Sequence, residues 1–287
     1  MQSNLSLSEF LASPPGQYVL RWEQAHLDGA VADVFGYHAV QLGVPEIDTL
    51  RENRMPLRLC VSDRLVNPPR PPGPVDDDGP VGQGGRQVSV ITRFEELPFA
   101  AQSIDLVVMP HILEFAQEPH QVLREVDRVL VPEGQVIITG FNPASLWGLR
   151  QGLARASVAR PYLPRAGQFL SLPRIKDWLK LLSYEANRGR FGCYAPWAGS
   201  ERWLARWSFM EKAGDRWWPV LGSVYMLTAI KRVRGMRLIG PVWKRKAEER
   251  RVALAPAATP RSPVAFTVRV VQGPDAANDR ARDAARG

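Results

Sequence analysis

Polar residues stand at the ends of several apolar runs in this chain, and some of them carry groups able to do chemistry. The run "SIDLVVM" (103–109) breaks at Pro110 and hands over at once to His111 and Glu114. Neutral imidazole titrates near working pH, so a histidine presented at such a point can accept a proton from a hydroxyl or an amine. A second run, "LRLCVSD" (57–63), ends on Asp63, and a third, "YHAVQLG" (37–43), ends on Gly43. Metal and redox chemistry have less to work with. The two cysteines, Cys60 and Cys193, are too few for a disulfide framework and lack the paired spacing of a zinc site, so both read as core residues.

The elements that must position these groups follow from the pattern around them. Further short apolar runs read as strands at "QVSVIT" (87–92), 103–109 and "GQVIITG" (134–140). Between the last two, "EPHQVLREVDRVL" sets Val122, Leu123, Val126, Val129 and Leu130 on one helical stripe, and Pro132-Glu133-Gly134 stops it. Apolar strands without strict alternation, separated by helices, imply a parallel sheet covered on both faces. Ligands of such sheets sit beyond the carboxyl ends of the strands, where Gly43, Asp63, Arg93 and the stretch from Met109 to Glu114 converge. A strand that stops at a ligand crevice ends on a residue unable to continue the ladder, which is the place of Pro110.

With 287 residues, 45% apolar and 23% charged, the chain can bury one sizeable core, alone or with an elaborated second lobe. No run reaches the roughly 18 apolar residues needed to span a bilayer, and the start "MQSNLSLSEF" lacks the regions of a signal peptide, so a cytoplasmic protein is expected. The net charge of +8 is concentrated in residues 231–251, with nine Lys or Arg against two Glu. A basic stretch in one terminal segment is a solvated tail or a contact for a polyanion such as RNA or an anionic membrane surface, and it does not define a nucleic-acid-binding fold. Composition divides the chain into an N-terminal helical segment (1–36), a main domain (37–235) and a basic, largely disordered tail (236–287), with a short strand considered at 264–271. Within the main domain a Pro/Gly-rich insertion is expected at 67–86 and a Trp-rich lid at 194–223.

The succession "ELPF", "SIDLVV", "HILEF" and "EPHQVLREVDRVLVPEGQVIITGFN" over residues 95–142 resembles the class I S-adenosylmethionine-dependent methyltransferases of the type 11 domain family. Members carry a similar Leu-Pro-Phe, an Ile/Phe-Asp before the fourth strand, a His-x-Leu-Glu after it, and a helix ending Arg-Val-Leu-x-Pro-Gly-Gly. Downstream, "SLPRIKDWLKLLSYEANRGRFGCY" resembles the family's helix and closing strands, and "GSVYMLTAIKRV" its final strand. The resemblance implies a doubly wound, mostly parallel seven-stranded sheet of the Rossmann-like methyltransferase kind with an antiparallel last strand. It implies S-adenosylmethionine as cofactor and a small molecule as the expected methyl acceptor. The alternative is a catalytically silent methyltransferase-like binding or regulatory protein.

The first motif departs from the family. Where members end the first strand with an acid and a Gly-x-Gly-x-Gly turn, this chain has Gln41, Gly43 and Pro45, and proline removes a donor and fixes φ. Carried over position by position, the resemblance implies cofactor contacts at Gln41, Gly43, Asp63, Glu95, Leu97, Pro98, Met109 and His111, with Asp63 on the ribose hydroxyls. Arg93 stands where an acid near the adenine is common, leaving Glu95 or Glu96 to substitute for it. His111 is the candidate catalytic base, although methyl transfer from a sulfonium needs mainly alignment, which gives it a second role in shaping the cofactor site. Asp105 reads as a strand-starting residue. Of the nine tryptophans, Trp197, Trp203, Trp207, Trp217 and Trp218 fall in the expected lid, interleaved with Arg202, Arg206 and Arg216. They suit a flat or anionic substrate, whereas the spacing Trp203, Trp207, Met210 is also that of a helix face packing on the sheet.

Overall fold

The computed structural model describes residues 6–63, 88–156, 163–164, 167–187, 189–196, 200–207 and 209–232. The insertion expected at 67–86, the tail at 236–287 and the strand at 264–271 lie outside the described residues. Two helices open the chain, α1 (Leu7–Ala12) and α2 (Pro14–Ala32). Ser6 and Glu9 form a reciprocal capping box on α1, and Ser13 caps α2 ahead of Pro14 and Pro15, where a missing N–H costs nothing.

Next come β1 (His38–Leu42), β2 (Leu57–Ser62), β3 (Val90–Ile91) and β4 (Ile104–Pro110), then α3 (Ile112–Phe115), α4 (Pro119–Val129) and β5 (Leu130–Phe141). They are followed by α5 (Leu146–Ala156), α6 (Leu172–Leu181), β6 (Tyr184–Ala186), β7 (Arg190–Gly192), α7 (Glu201–Arg206), α8 (Phe209–Trp217), a 3-10 turn (Pro219–Leu221) and β8 (Val224–Lys231). The sheet order is β3-β2-β1-β4-β5-β8-β6, with β7 also on β8. β1 to β5 are parallel neighbours, and β8 runs antiparallel to β5. Seven strands are expected from the sequence, and eight segments are present among the described residues. β6 and β7 both pair antiparallel with β8, through Ala186↔Ala229 and Arg190↔Met226.

Alternation along the strands sends side chains to two cores. Ala39, Leu106, Val108 and Ile137 face α2 through Val19, Leu20, Leu27 and Val31. Val40, Val107, Met109, Val136 and Ile138 face α4 and α6 through Val122, Leu123, Val126, Val129, Ile175 and Leu179. A sheet covered on both faces leaves its carboxyl-end rim as the place for a ligand.

Candidate functional site

The turn after β1 is built around Gln41. Its side chain is fully buried, and Nε2 lies 3.1, 2.9 and 2.8 Å from the carbonyl oxygens of Gly43, Val44 and Ile47, which accept from it. Oε1 accepts from the Thr49 N–H at 3.1 Å and from its hydroxyl at 2.9 Å. The amide expected to touch a cofactor is therefore spent on the backbone of its own turn. A carboxylate here would face three carbonyl oxygens with no proton to offer. Gly43 (φ +67) and Val44 (φ 42) both lie in the left-handed region, a conformation that is costly for a β-branched residue. Gly43 N–H donates to Val61 O at 2.7 Å, and a Cβ on Gly43 would lie 2.1 Å from Ile112 Cδ1. Close approach at this glycine is thus made by the movable end of Ile112.

One strand over, Asp63 follows β2 as an exposed residue at the same rim. Glu95 is half-buried and Pro98 exposed, while Leu97 is buried and Arg93 is exposed. The Leu97–Phe99 turn hangs on α4. Arg128 donates to Leu97 O at 2.9 Å and to Phe99 O at 2.9 Å, while Glu125, paired with Arg128 at 2.9 Å, accepts from Leu97 N–H at 3.2 Å. The Leu-Pro-Phe and the Arg-Val-Leu of the sequence are therefore two halves of one hydrogen-bonded connection. Met109 has no exposed surface and packs in the core on the α4 side.

His111 differs most from its expectation. It takes a left-handed conformation (φ 54), its N–H donates to Thr139 O at 3.1 Å, and its ring is fully buried. Nδ1 lies 3.0 Å from Glu114 Oε2 and Nε2 3.0 Å from Glu23 Oε1, the second contact an ion pair without an aligned hydrogen bond. Burial alone would lower the pKa of this imidazole, but the carboxylates of Glu23 and Glu114 prevail and raise it to about 10. Burial pushes Glu114 up, although His111 and the Phe141 N–H, which donates to its Oε1 at 2.5 Å, act the other way. With no exposed surface and a carboxylate 3.0 Å from each ring nitrogen, the imidazole does not face solvent as the sequence suggests. The arrangement instead ties α2 to the carboxyl ends of β4 and β5.

Glu23 is the residue that the sequence reading missed. The signal was present: Val19, Glu23, Leu27 and Val31 recur every four residues, which puts a carboxylate on the buried stripe of α2. Asp105 holds the opposite end of the sheet, accepting from the N–H groups of Tyr37 and His38 at 2.8 and 2.9 Å. Cys60 and Cys193 are buried and form no disulfide, and burial pushes the Cys193 thiol up. In the Trp-rich stretch Leu204 packs inward while Trp203, 56% exposed, faces out, and Trp207 stacks between Trp203 and Phe209 at 6.3 and 5.6 Å. The Trp203-Trp207-Met210 stripe is therefore not a face buried on the sheet. Trp197 lies outside the described residues. Among the described residues no group of His, Cys, Asp and Glu could hold a metal ion, and no helix is long and apolar enough to cross a membrane.

This sheet order, with a left-handed glycine after its first strand and an acid after its second, defines a Rossmann-like methyltransferase fold. Comparison with known proteins agrees: residues 81–138 match the family model described as Methyltransferase domain. A chain of the Haloferax volcanii complex containing the Trm112 methyltransferase activator superposes with a TM-score of 0.54 at 16% identity, covering 77% of this chain and 94% of that one. Of curated proteins, the uncharacterized protein YafS of Escherichia coli K12 is 38% identical over 117 residues, which are 41% of this chain and 48% of that protein. The uncharacterized protein MJ1123 of Methanocaldococcus jannaschii is 27% identical over 96 residues, 33% of this chain and 45% of that protein. The chain thus spans about half the length of the curated relatives it matches.

Proposed function

We propose that this chain is an S-adenosylmethionine-dependent methyltransferase acting on a small-molecule acceptor in the cytoplasm. The observation that carries the reading is the pair of adjacent parallel strand ends, with Gly43 in a left-handed turn after β1 and Asp63 exposed after β2. The donor chemistry fits the cofactor. Asp63 can accept from both ribose hydroxyls, Leu97 and Pro98 with Glu95 border the adenine, and Gly43 admits the chain of the ligand once the Ile112 end swings away. When bound, the sulfonium supplies an activated methyl group. The protein's part is then alignment and exclusion of water, for which a positioned pocket is sufficient and a base is dispensable. In this reading His111 and Met109 shape the floor of the site, and Gln41 shapes the turn. Residues 231–251 remain a proposed polyanion contact.

One observation favours the silent binding protein instead: the Gly43 N–H is already donated to Val61 O, and the space beside Gly43 is taken by Ile112. Thermal unfolding with and without S-adenosylmethionine separates the two. A ligand that binds only the native state raises stability by about 2.7 kcal/mol at a hundredfold excess over Kd. A rise in melting temperature supports the enzyme, and an unchanged value at saturating millimolar concentrations leaves the silent protein.

A further inference from the structure

Trp203, Phe209, Trp217 and Trp218 face outward, and Trp217 is 69% exposed. Val220 and Leu221 of the 3-10 turn are exposed as well, and Leu146, Leu149 and Leu153 are exposed along one side of α5. Asn142 brings the two parts together, its Nδ2 donating to Val220 O at 2.7 Å and to Gly222 O at 2.9 Å, so that α5 starts beside the turn. These elements have already satisfied their inward faces. Trp147 and Gln151 are the buried side of α5, Leu204 that of α7, and Gly214 that of α8. The outward apolar groups are additional to the core, and a surface of this extent marks an interaction site.

Its charges say with what. Arg202, Arg206, Lys212 and Arg216 are exposed among the aromatic residues. Of the two acids on α8, Glu211 turns inward, accepting from Tyr18 Oη and from the N–H groups of Cys193 and Tyr194, while Asp215 is exposed. A second copy of this chain would set these cations against their own counterparts, which disfavours self-association. Tryptophan and leucine interspersed with arginine match the boundary between headgroups and acyl chains of an anionic bilayer.

We propose that α5, α7, α8 and the 3-10 turn form a peripheral docking surface for anionic phospholipid membranes. The rings and leucines enter the interfacial layer and the cations pair with lipid phosphates. The test is flotation of the full chain with vesicles of phosphatidylcholine, alone or mixed with phosphatidylglycerol. Binding to the mixed vesicles should be at least about tenfold stronger than to phosphatidylcholine alone, because anionic lipid attracts each nearby cation. The variant Trp217→Ser/Trp218→Ser/Leu149→Ser should lose roughly tenfold or more of that binding, since affinity scales with the apolar area inserted, and it should keep the parent's melting temperature. Because residues 231–251 could bind anionic lipid independently, the same three substitutions are also made on a Lys244→Gln/Arg245→Gln/Lys246→Gln background, where they should again reduce flotation. Flotation indifferent to the Trp and Leu substitutions on both backgrounds overturns the proposal. So does a chain that floats with neither kind of vesicle, a result that leaves the surface to a protein partner.

Discussion

Gln41 shows how much one atom type can decide. Its amide nitrogen gives what three carbonyl oxygens need, whereas its oxygen takes what the Thr49 N–H and hydroxyl offer. Replacing it by glutamate keeps the shape and removes the donors. Gln41→Glu should therefore cost about 3 kcal/mol, the range for a buried charge left without a partner, read as a fall in the denaturation midpoint. An unchanged midpoint would mean that the turn does not depend on the amide. Sequence alone shows that an acid is missing here, but not that the neighbouring carbonyls point inward, so the role of the amide was hidden until the turn was seen. His111 was legible as a residue at the rim and illegible as an imidazolium, because Glu23 lies 88 positions away on another element. Its pKa is raised from an ordinary 6.5 to about 10, so the stability it contributes is fully present below 6.5 and is lost as pH rises through about 10. Unfolding free energy of the parent should fall over that window more steeply than that of His111→Asn. Parallel profiles would contradict the ion cluster.

At the scale of elements, the part of the chain with the clearest signature is scaffold. The helix written in "EPHQVLREVDRVL" is α4, whose buried Val122, Leu123, Val126 and Val129 follow its period, while Leu130, expected on the same stripe, already begins β5. Its polar residues carry the less visible half of the message: Glu125 and Arg128 hold the 97–99 turn at the rim. Arg128→Ala should release two carbonyl groups and loosen that turn, at a cost of about 1–2 kcal/mol for hydrogen bonds to a charged donor. Amide exchange should quicken at residues 96–99 and stay as it was on α2; exchange that changes everywhere or nowhere would count against a local tie. β3 is shorter than its apolar run suggests, Val90–Ile91 where 87–92 is expected, since an edge strand pairs only as far as its single neighbour allows. The split into β6 and β7 was unreadable for a similar reason, because it is a property of pairing with β8 and not of either short segment.

For the whole molecule, alternation of strands and helices was enough to give a parallel sheet with its rim at the carboxyl ends. The two cores follow from burying both faces, whereas the antiparallel last strand was expected only from the resemblance and the order of strands was not legible. Less of the site was legible, because its residues come from β1, β2, the loop before β4 and, through Glu23, the first long helix. Placing a cofactor at this rim makes a direct demand: binding must depend on the acid after β2 and on the absent side chain after β1. The deciding measurement is titration calorimetry of S-adenosylmethionine into the parent chain, Asp63→Ala and Gly43→Val. The account predicts binding by the parent, a loss of roughly 1–3 kcal/mol in Asp63→Ala, the cost of one charge-assisted hydrogen bond, and no binding by a folded Gly43→Val. A parent that releases no heat at millimolar ligand, or both variants binding as the parent does, would contradict it.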